Sequence, residues 1–341
     1  MLYANFVANG LIGKNNSIFD LNSPGNRDNC FFPYWLLREQ FRKKGIILNT
    51  PDQNSGQIIS FEIHLNVQKK SPKFPSYLLL VETPQVSPRN KLDHKNIYRK
   101  VFTWNDSLVD NDKYFKFYLP NVKQPDFDLG WTGRSKLCCV ISNNKNFNKK
   151  YENELYSERI KTIRWFENNA PGELDLYGGK WDRPAAGTNY SSKLISKMKG
   201  RMLALFDKKP FASYKGSAAD KYTTMSRYRF SICYENLSGI PGYITEKIFD
   251  SFFAGCIPIY WGASNVKNYI PANCFIDRTV FNNNNSLYNY IKSMSETNYI
   301  QTQKAIKKFL NSEIAELFYP DSFAASIVAS VLDDFIKQHP D

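Results

Sequence analysis

The chain has 341 residues, a formal net charge of +13 and six cysteines. At roughly 100–200 residues per domain this length suggests two domains. An apolar fraction of 42% with 15% aromatic residues excludes wholesale disorder, and the cysteines are too few for a disulfide scaffold.

Tyr3–Ala8 reads as a strand. Phe31–Lys44 reads as a helix, with Tyr34, Leu37 and Phe41 near helical spacing. Gly45 follows as a helix stop, and Ile46–Leu48 as the next strand. Tyr77–Val81 is a continuous apolar run, the pattern of a strand buried on both faces. Val101–Trp104 and Tyr114–Leu119 are further strands. The polar, turn-rich stretch Asn121–Arg134 reads as an interdomain connection. Lys136–Ser142 then restarts the alternation as a strand, with Cys138 and Cys139 as buried thiols. Glu152–Phe166 is a helix, and Leu174–Tyr177 a strand ending at Gly178-Gly179. Arg229–Tyr234 is a strand, Glu246–Ala254 a helix and Cys256–Tyr260 a strand. Asn285–Ser295, Thr302–Leu310 and Ser322–Lys337 are helical. Strand–helix–strand alternation in both halves implies two α/β domains with mostly parallel sheets.

The positive charge is spread evenly, +6 over residues 1–135 and +7 over the rest. That suits anionic small molecules or an anionic membrane surface, and solubility alone explains it as well. No helix-turn-helix, zinc-finger or RNP signature points to nucleic acid. The start, MLYANFVANGLIG, lacks the basic and long apolar regions of a signal peptide. The longest mainly apolar stretch, Ile248 to Trp261, is too short and too broken to span a bilayer. The expectation is a soluble or peripheral protein in a reducing, cytoplasmic compartment.

The most informative stretch is Phe230–Ala263, FSICYENLSGIPGYITEKIFDSFFAGCIPIYWGA. An apolar strand runs into Glu235-Asn236 and a loop holding Gly239, Pro241 and Gly242. Thr245 stands as the N-cap of the next helix, with Glu246 in its first turn and Lys247 beside them. Free N–H groups at a helix start attract phosphate, and Lys247 adds a full charge. In open α/β sheets, ligands bind at the carboxyl ends of strands, where this loop lies. An ordinary crossover with a surface Lys and Glu fits the pattern equally.

The wording of the segment adds to this. YENxxGxxGYxTEKIxD followed by PIYWG closely resembles the signature of the alpha-1,3/4-fucosyltransferase family, glycosyltransferase family 10. Upstream, VISN at Val140–Asn143 looks like the family's strand opening the donor domain, and DLYGG at Asp175–Gly179 matches its D-x-Y-G run. YLLLVETPQVSP resembles its F-E-S-P segment, and Phe102–Asn105 its F-N-W-T element in altered order. The resemblance covers about Tyr77 to Phe275.

The resemblance implies the GT-B arrangement, two Rossmann-like domains with a cleft between them. Residues 1–135 would be the acceptor-binding domain and residues 136–320 the GDP-sugar donor domain. The helix in 321–341 would pack across their interface. The family transfers L-fucose from GDP-fucose to a glycan hydroxyl, commonly of N-acetylglucosamine, with inversion. Glu82 matches the family's glutamate and would be the base, its pKa raised by partial desolvation at the strand end. A glutamate capping a loop or paired with a surface lysine reads the same residue differently. Arg159, or failing it Arg164, and Lys247 would offset the charge on the departing diphosphate. Asn236 and Glu246 would orient the donor through ribose or fucose hydroxyls. Tyr243 would pack beside the nucleotide or reach a phosphate, or else fills the core edge. With two cations in place, no divalent metal is expected.

Asp110-Asn111-Asp112 is formally a DxD but reads as a solvated turn. His64, His94 and His339 form no spaced ligand set. Asn-x-Ser triplets at Asn105, Asn189, Asn236 and Asn284 read as chance in an Asn-rich chain. The resemblance is to bacterial members acting at the cytoplasmic side of the membrane on surface-polysaccharide or lipopolysaccharide precursors. Another nucleotide-sugar donor on the same scaffold, or a basic polyanion-binding module, are the alternatives.

Overall fold

The computed structural model describes residues 2–91, 94, 96–147, 149–185, 190–205 and 210–338. Asn189 and His339 lie outside the described residues. The chain divides into two compact units, Met1–Lys123 with Glu313–Asp341, and Gln124–Ser312. The expected boundary at residue 135 therefore moves to the start of the turn-rich stretch.

The first unit is built on six parallel strands: β1 (Leu2–Val7), β2 (Ile46–Asn49), β3 (Ile59–Leu65), β4 (Ser76–Leu80), β5 (Lys100–Thr103) and β6 (Tyr114–Lys116). Their order is β2-β1-β3-β4-β5-β6. Helix α1 (Phe32–Lys43) makes the first crossover and buries Leu37 and Phe41. All five residues of β4 are buried, as its unbroken apolar run requires. Strand β3 has no counterpart in the sequence reading. Its run ISFEIHL carries Glu62 and His64, yet both are buried. They satisfy each other: His64 Nε2 lies 2.9 Å from Glu62 Oε2, and His64 Nδ1 lies 3.2 Å from the Tyr98 hydroxyl.

The second unit holds five parallel strands: β7 (Lys136–Ile141), β8 (Leu174–Tyr177), β9 (Tyr228–Tyr234), β10 (Ile257–Trp261) and β11 (Ile276–Asp277). Their order is β11-β10-β9-β7-β8. The chain goes from β7 outward to β8, then returns to the other side of β7. The strand order thus reverses between β7 and β9, where open α/β sheets bind ligands. Helices α2 (Tyr156–Asn169), α3 (Tyr190–Leu205), α4 (Lys221–Met225) and α5 (Glu246–Phe253) serve the crossovers, followed by α6 (Asn284–Ser293) and α7 (Glu296–Leu310). Helix α2 starts later than expected because residues 153–155 do other work. Leu155 N–H donates to Asn236 O and Ser238 N–H to Asn153 O, bracing the loop after β9. Helix α3 was not anticipated.

The chain then returns to the first unit through α8 (Glu313–Glu316) and α9 (Pro320–Gln338). Tyr34 and Phe61 meet Phe323 and Phe335 of α9 edge-on or tilted, and the Tyr77 hydroxyl donates to Asp334 at 2.7 Å. The C-terminal helix, expected to pack across an interface, is a core element of the first unit. All six cysteines are free, and only Cys30 is exposed. No helix among the described residues is long and apolar enough to cross a membrane.

Candidate active site

The chemistry-bearing loop springs from the carboxyl end of β9, at the strand-order reversal. Glu235, the first residue past that strand, is fully buried. Its Oε1 accepts the Thr245 backbone N–H at 2.9 Å. Its Oε2 accepts the Thr245 hydroxyl at 2.7 Å and Lys247 Nζ at 3.0 Å. One carboxylate thus clasps the loop shut against the start of α5. Gly239 and Gly242 allow the turn between, at φ +77° and +80°. Thr245 occupies the N-cap position as expected, but its side chain makes no capping bond. The hydroxyl is diverted to Glu235 and accepts from Lys247 Nζ at 3.0 Å.

Lys247 is held as a firm cation. Burial works against its charge, but the Glu235 and Glu246 carboxylates outweigh burial and raise it above the usual lysine range. Glu246 Oε1 lies 3.5 Å from Lys247 Nζ, and its side chain is exposed. Arg159 is buried on α2. Its Nη2 donates to Tyr234 O at 2.6 Å, which ties α2 to the end of β9. Burial lowers its pKa, while Tyr156, 5.5 Å away across the ring face, and Glu235 work the other way. A guanidinium stays charged through such a shift. Arg164, the substitute considered for it, instead pairs with Glu167 at 2.7 Å. Asn236 Nδ2 donates to the Tyr243 hydroxyl at 3.4 Å, and Tyr243 itself is buried. Arg159, Asn236, Tyr243, Glu246 and Lys247 are therefore gathered around one strand end.

Three further features were missed in the sequence. The first is Glu235, whose partners lie ten and twelve residues downstream. The second is Gly262 of the PIYWG run. A Cβ there would sit 2.4 Å from the Tyr260 hydroxyl and 2.5 Å from Glu235 Cγ. Only glycine lets β10 end against the clasp. The third is a cavity of about 280 Å³ at the carboxyl ends of β10 and β11, lined by Ser238, Trp261, Lys267, Asp277 and Thr279 among others. Asp277 meets Lys267 at 2.8 Å and accepts the Thr279 N–H at 3.0 Å. Burial pushes Asp277 up, but these partners outweigh it and keep the carboxyl below its usual range.

Glu82 belongs to the first unit. It lies two residues past the end of β4, and Asn66 Oδ1 fixes it by accepting its N–H at 2.9 Å, while Asn90 donates to its carbonyl at 2.8 Å. Trp104 of the Phe102–Asn105 element donates to Val81 O at 2.9 Å. Glu82 is exposed. Its charge nonetheless reaches Tyr34, whose phenol is raised by burial first and by Glu82 next. Asp110 accepts the N–H groups of Asp112, Lys113 and Tyr114 at 2.7–3.0 Å, the geometry of a turn.

Comparison with known proteins gives a partial sequence match and a match of fold. Residues 173–304 match the sequence model described as Glycosyltransferase family 10 (fucosyltransferase) C-term. The alpha-(1,3)-fucosyltransferase FucT of Helicobacter pylori is 38% identical over 85 residues, covering 25% of this chain and 16% of that protein. The match thus spans under a fifth of that curated relative's length. A solved alpha1,3-fucosyltransferase with GDP superposes with a TM-score of 0.51 at 17% identity, over 91% of this chain and 81% of that one. Anabaena HepE in complex with UDP-glucose superposes with a TM-score of 0.55 at 10% identity, over 98% of this chain and all of that one. These likenesses give the fold, two α/β units of the GT-B type. Over residues 173–304 the sequence is similar to the C-terminal part of glycosyltransferase family 10.

Proposed function

We propose that the protein is an inverting fucosyltransferase that moves L-fucose from GDP-fucose to a hydroxyl of an N-acetylglucosamine-type glycan, in α1,3 or α1,4 linkage. The observation that carries this reading is the clasped loop at β9, which holds Lys247 in the first turn of α5 inside the segment matching the family model. In a single displacement, the acceptor oxygen forms a bond to the anomeric carbon as that carbon's bond to the diphosphate oxygen breaks. The acceptor proton passes to Glu82, and GDP leaves. Lys247 and Arg159 offset the charge developing on the diphosphate, so no divalent metal is required. Glu246 and Asn236 orient donor hydroxyls, and Tyr243 supports Asn236. Glu82, exposed in the free protein, gains base strength from the water that bound substrate excludes. The acceptor is of the surface-polysaccharide or lipopolysaccharide class.

A second reading keeps the scaffold and changes the donor, because the fold match to HepE, a protein solved with UDP-glucose, is as good as that to the fucosyltransferase. Thermal shift separates them, since a ligand binding only the native state raises its melting temperature. GDP-fucose should stabilise the protein more than GDP-mannose or UDP-glucose, with or without EDTA. Stabilisation by UDP-glucose alone would transfer the proposal to the second donor. GDP-fucose turnover with an N-acetylglucosamine acceptor panel, followed by linkage analysis of the product, then tests the transfer itself.

A further inference from the structure

Helix α3 is built inside out. At 100° per residue, Leu194, Ile195, Met198, Met202 and Leu205 fall within about 100° of arc, and all five are exposed, Met198 at 58% and Leu205 at 82%. On the opposite side, Ser196 and Gly200 face the protein. Ser196 is buried and donates to Pro184 O at 2.6 Å. Gly200 is also buried, and a Cβ there would meet Arg183 Cβ at 2.8 Å. The helix therefore lies close against the 183–184 segment at Ser196 and Gly200 and turns the exposed apolar stripe outward. Lys193, Lys197 and Arg201 flank the stripe on one side and Lys199 on the other, all exposed, and the helix sequence holds no acid.

We infer that α3 is a membrane-contact helix, its outward apolar stripe seated among the acyl chains of an anionic lipid surface and its basic flanks on the headgroups. A large apolar stripe edged by lysines with no acidic residue is the pattern of helices lying in the bilayer interface. Lysine and arginine stems extend along such a stripe while their charges reach the phosphates. Sixteen residues rise only about 24 Å, so the helix lies along the surface rather than across it. A second copy of this helix fits poorly, because antiparallel or parallel docking would crowd eight like charges around one seam. Protein interface cores are depleted in lysine for the same reason. The inference does not rest on the proposed transfer reaction.

Flotation with vesicles tests it. Wild-type protein should bind vesicles of equal phosphatidylcholine and phosphatidylglycerol, and bind pure phosphatidylcholine far more weakly. Each basic side chain near an anionic surface strengthens binding about five-fold, so K197Q/R201Q should lose about thirty-fold. L194Q/M198Q/M202Q, which alters only exposed positions, should lose more than about ten-fold while retaining native circular dichroism. A fluorophore on M198C in a C30S background should shift to the blue with the anionic vesicles. This second readout decides the matter if the triple variant misfolds. Unchanged vesicle binding by a folded triple variant, no blue shift, or a wild-type dimer that the triple variant abolishes would each overturn the inference.

Discussion

At the scale of single residues, the site is organised around a carboxylate that touches no substrate in the proposed reaction. Glu235 positions both Thr245 and Lys247, so its charge and its shape are separable. Glu235→Gln keeps the shape and removes the charge opposite Lys247. It should lower turnover about ten-fold or more, as loss of a group that orients a reacting one commonly does. Lys247→Ala should weaken GDP affinity measured by calorimetry, by on the order of 100-fold if the lost contact resembles an oxyanion donor. The double variant should lose less than the two single losses combined, because the pair acts as a unit. Glu82→Gln should behave oppositely to Lys247→Ala. Turnover should fall by about 10²–10⁴ while GDP affinity holds, and equal turnover would remove Glu82 from the role of base.

At the scale of elements, Asp175 is the clip of the second sheet. From β8 it accepts Lys136 Nζ of β7 at 2.5 Å and the Tyr228 hydroxyl of β9 at 2.6 Å. Burial pushes its carboxyl up, but Lys136, Tyr228 and Lys215 outweigh burial and hold it below the usual range. A depressed native pKa stabilises the fold above the unfolded carboxyl range near pH 4, and the contribution is lost as pH falls through the depressed value. Asp175→Asn should therefore cost about 2 kcal/mol at neutral pH. The gap between the two melting curves should close in acid. The same elements show what a sequence discloses. Strand β4 was legible because every residue of Tyr77–Leu80 is apolar and buried. Strand β3 was not, because Glu62 and His64 break its pattern and are reconciled only by contact with each other and with Tyr98. Helix α3 was legible in the helical spacing of Leu194, Ile195, Met198 and Met202, but the outward direction of that stripe was not. Lys247 could be read from its place at a helix start and from the wording around it. The role of Glu235 could not, since the loop that returns Thr245 to it exists only once folded.

At the scale of the molecule, the chain makes its first unit from two distant pieces. Residues 1–123 supply the six-stranded sheet, and residues 313–341 return to cover it. The covering helix α9 brings Phe323, Ile327 and Val331 into that core, each almost fully buried. Lys100 Nζ reaches Ser330 O at 2.8 Å, so even the strand face is tied down by α9. The second unit, Gln124–Ser312, is one unbroken piece. Synthesis runs from the amino terminus, and domains usually complete themselves in that order. Here the order inverts. The second unit has its whole sequence when residue 312 emerges, while the sheet made before it must keep an apolar face uncovered until α9 follows. The sheet synthesised before the second unit is thus completed after it.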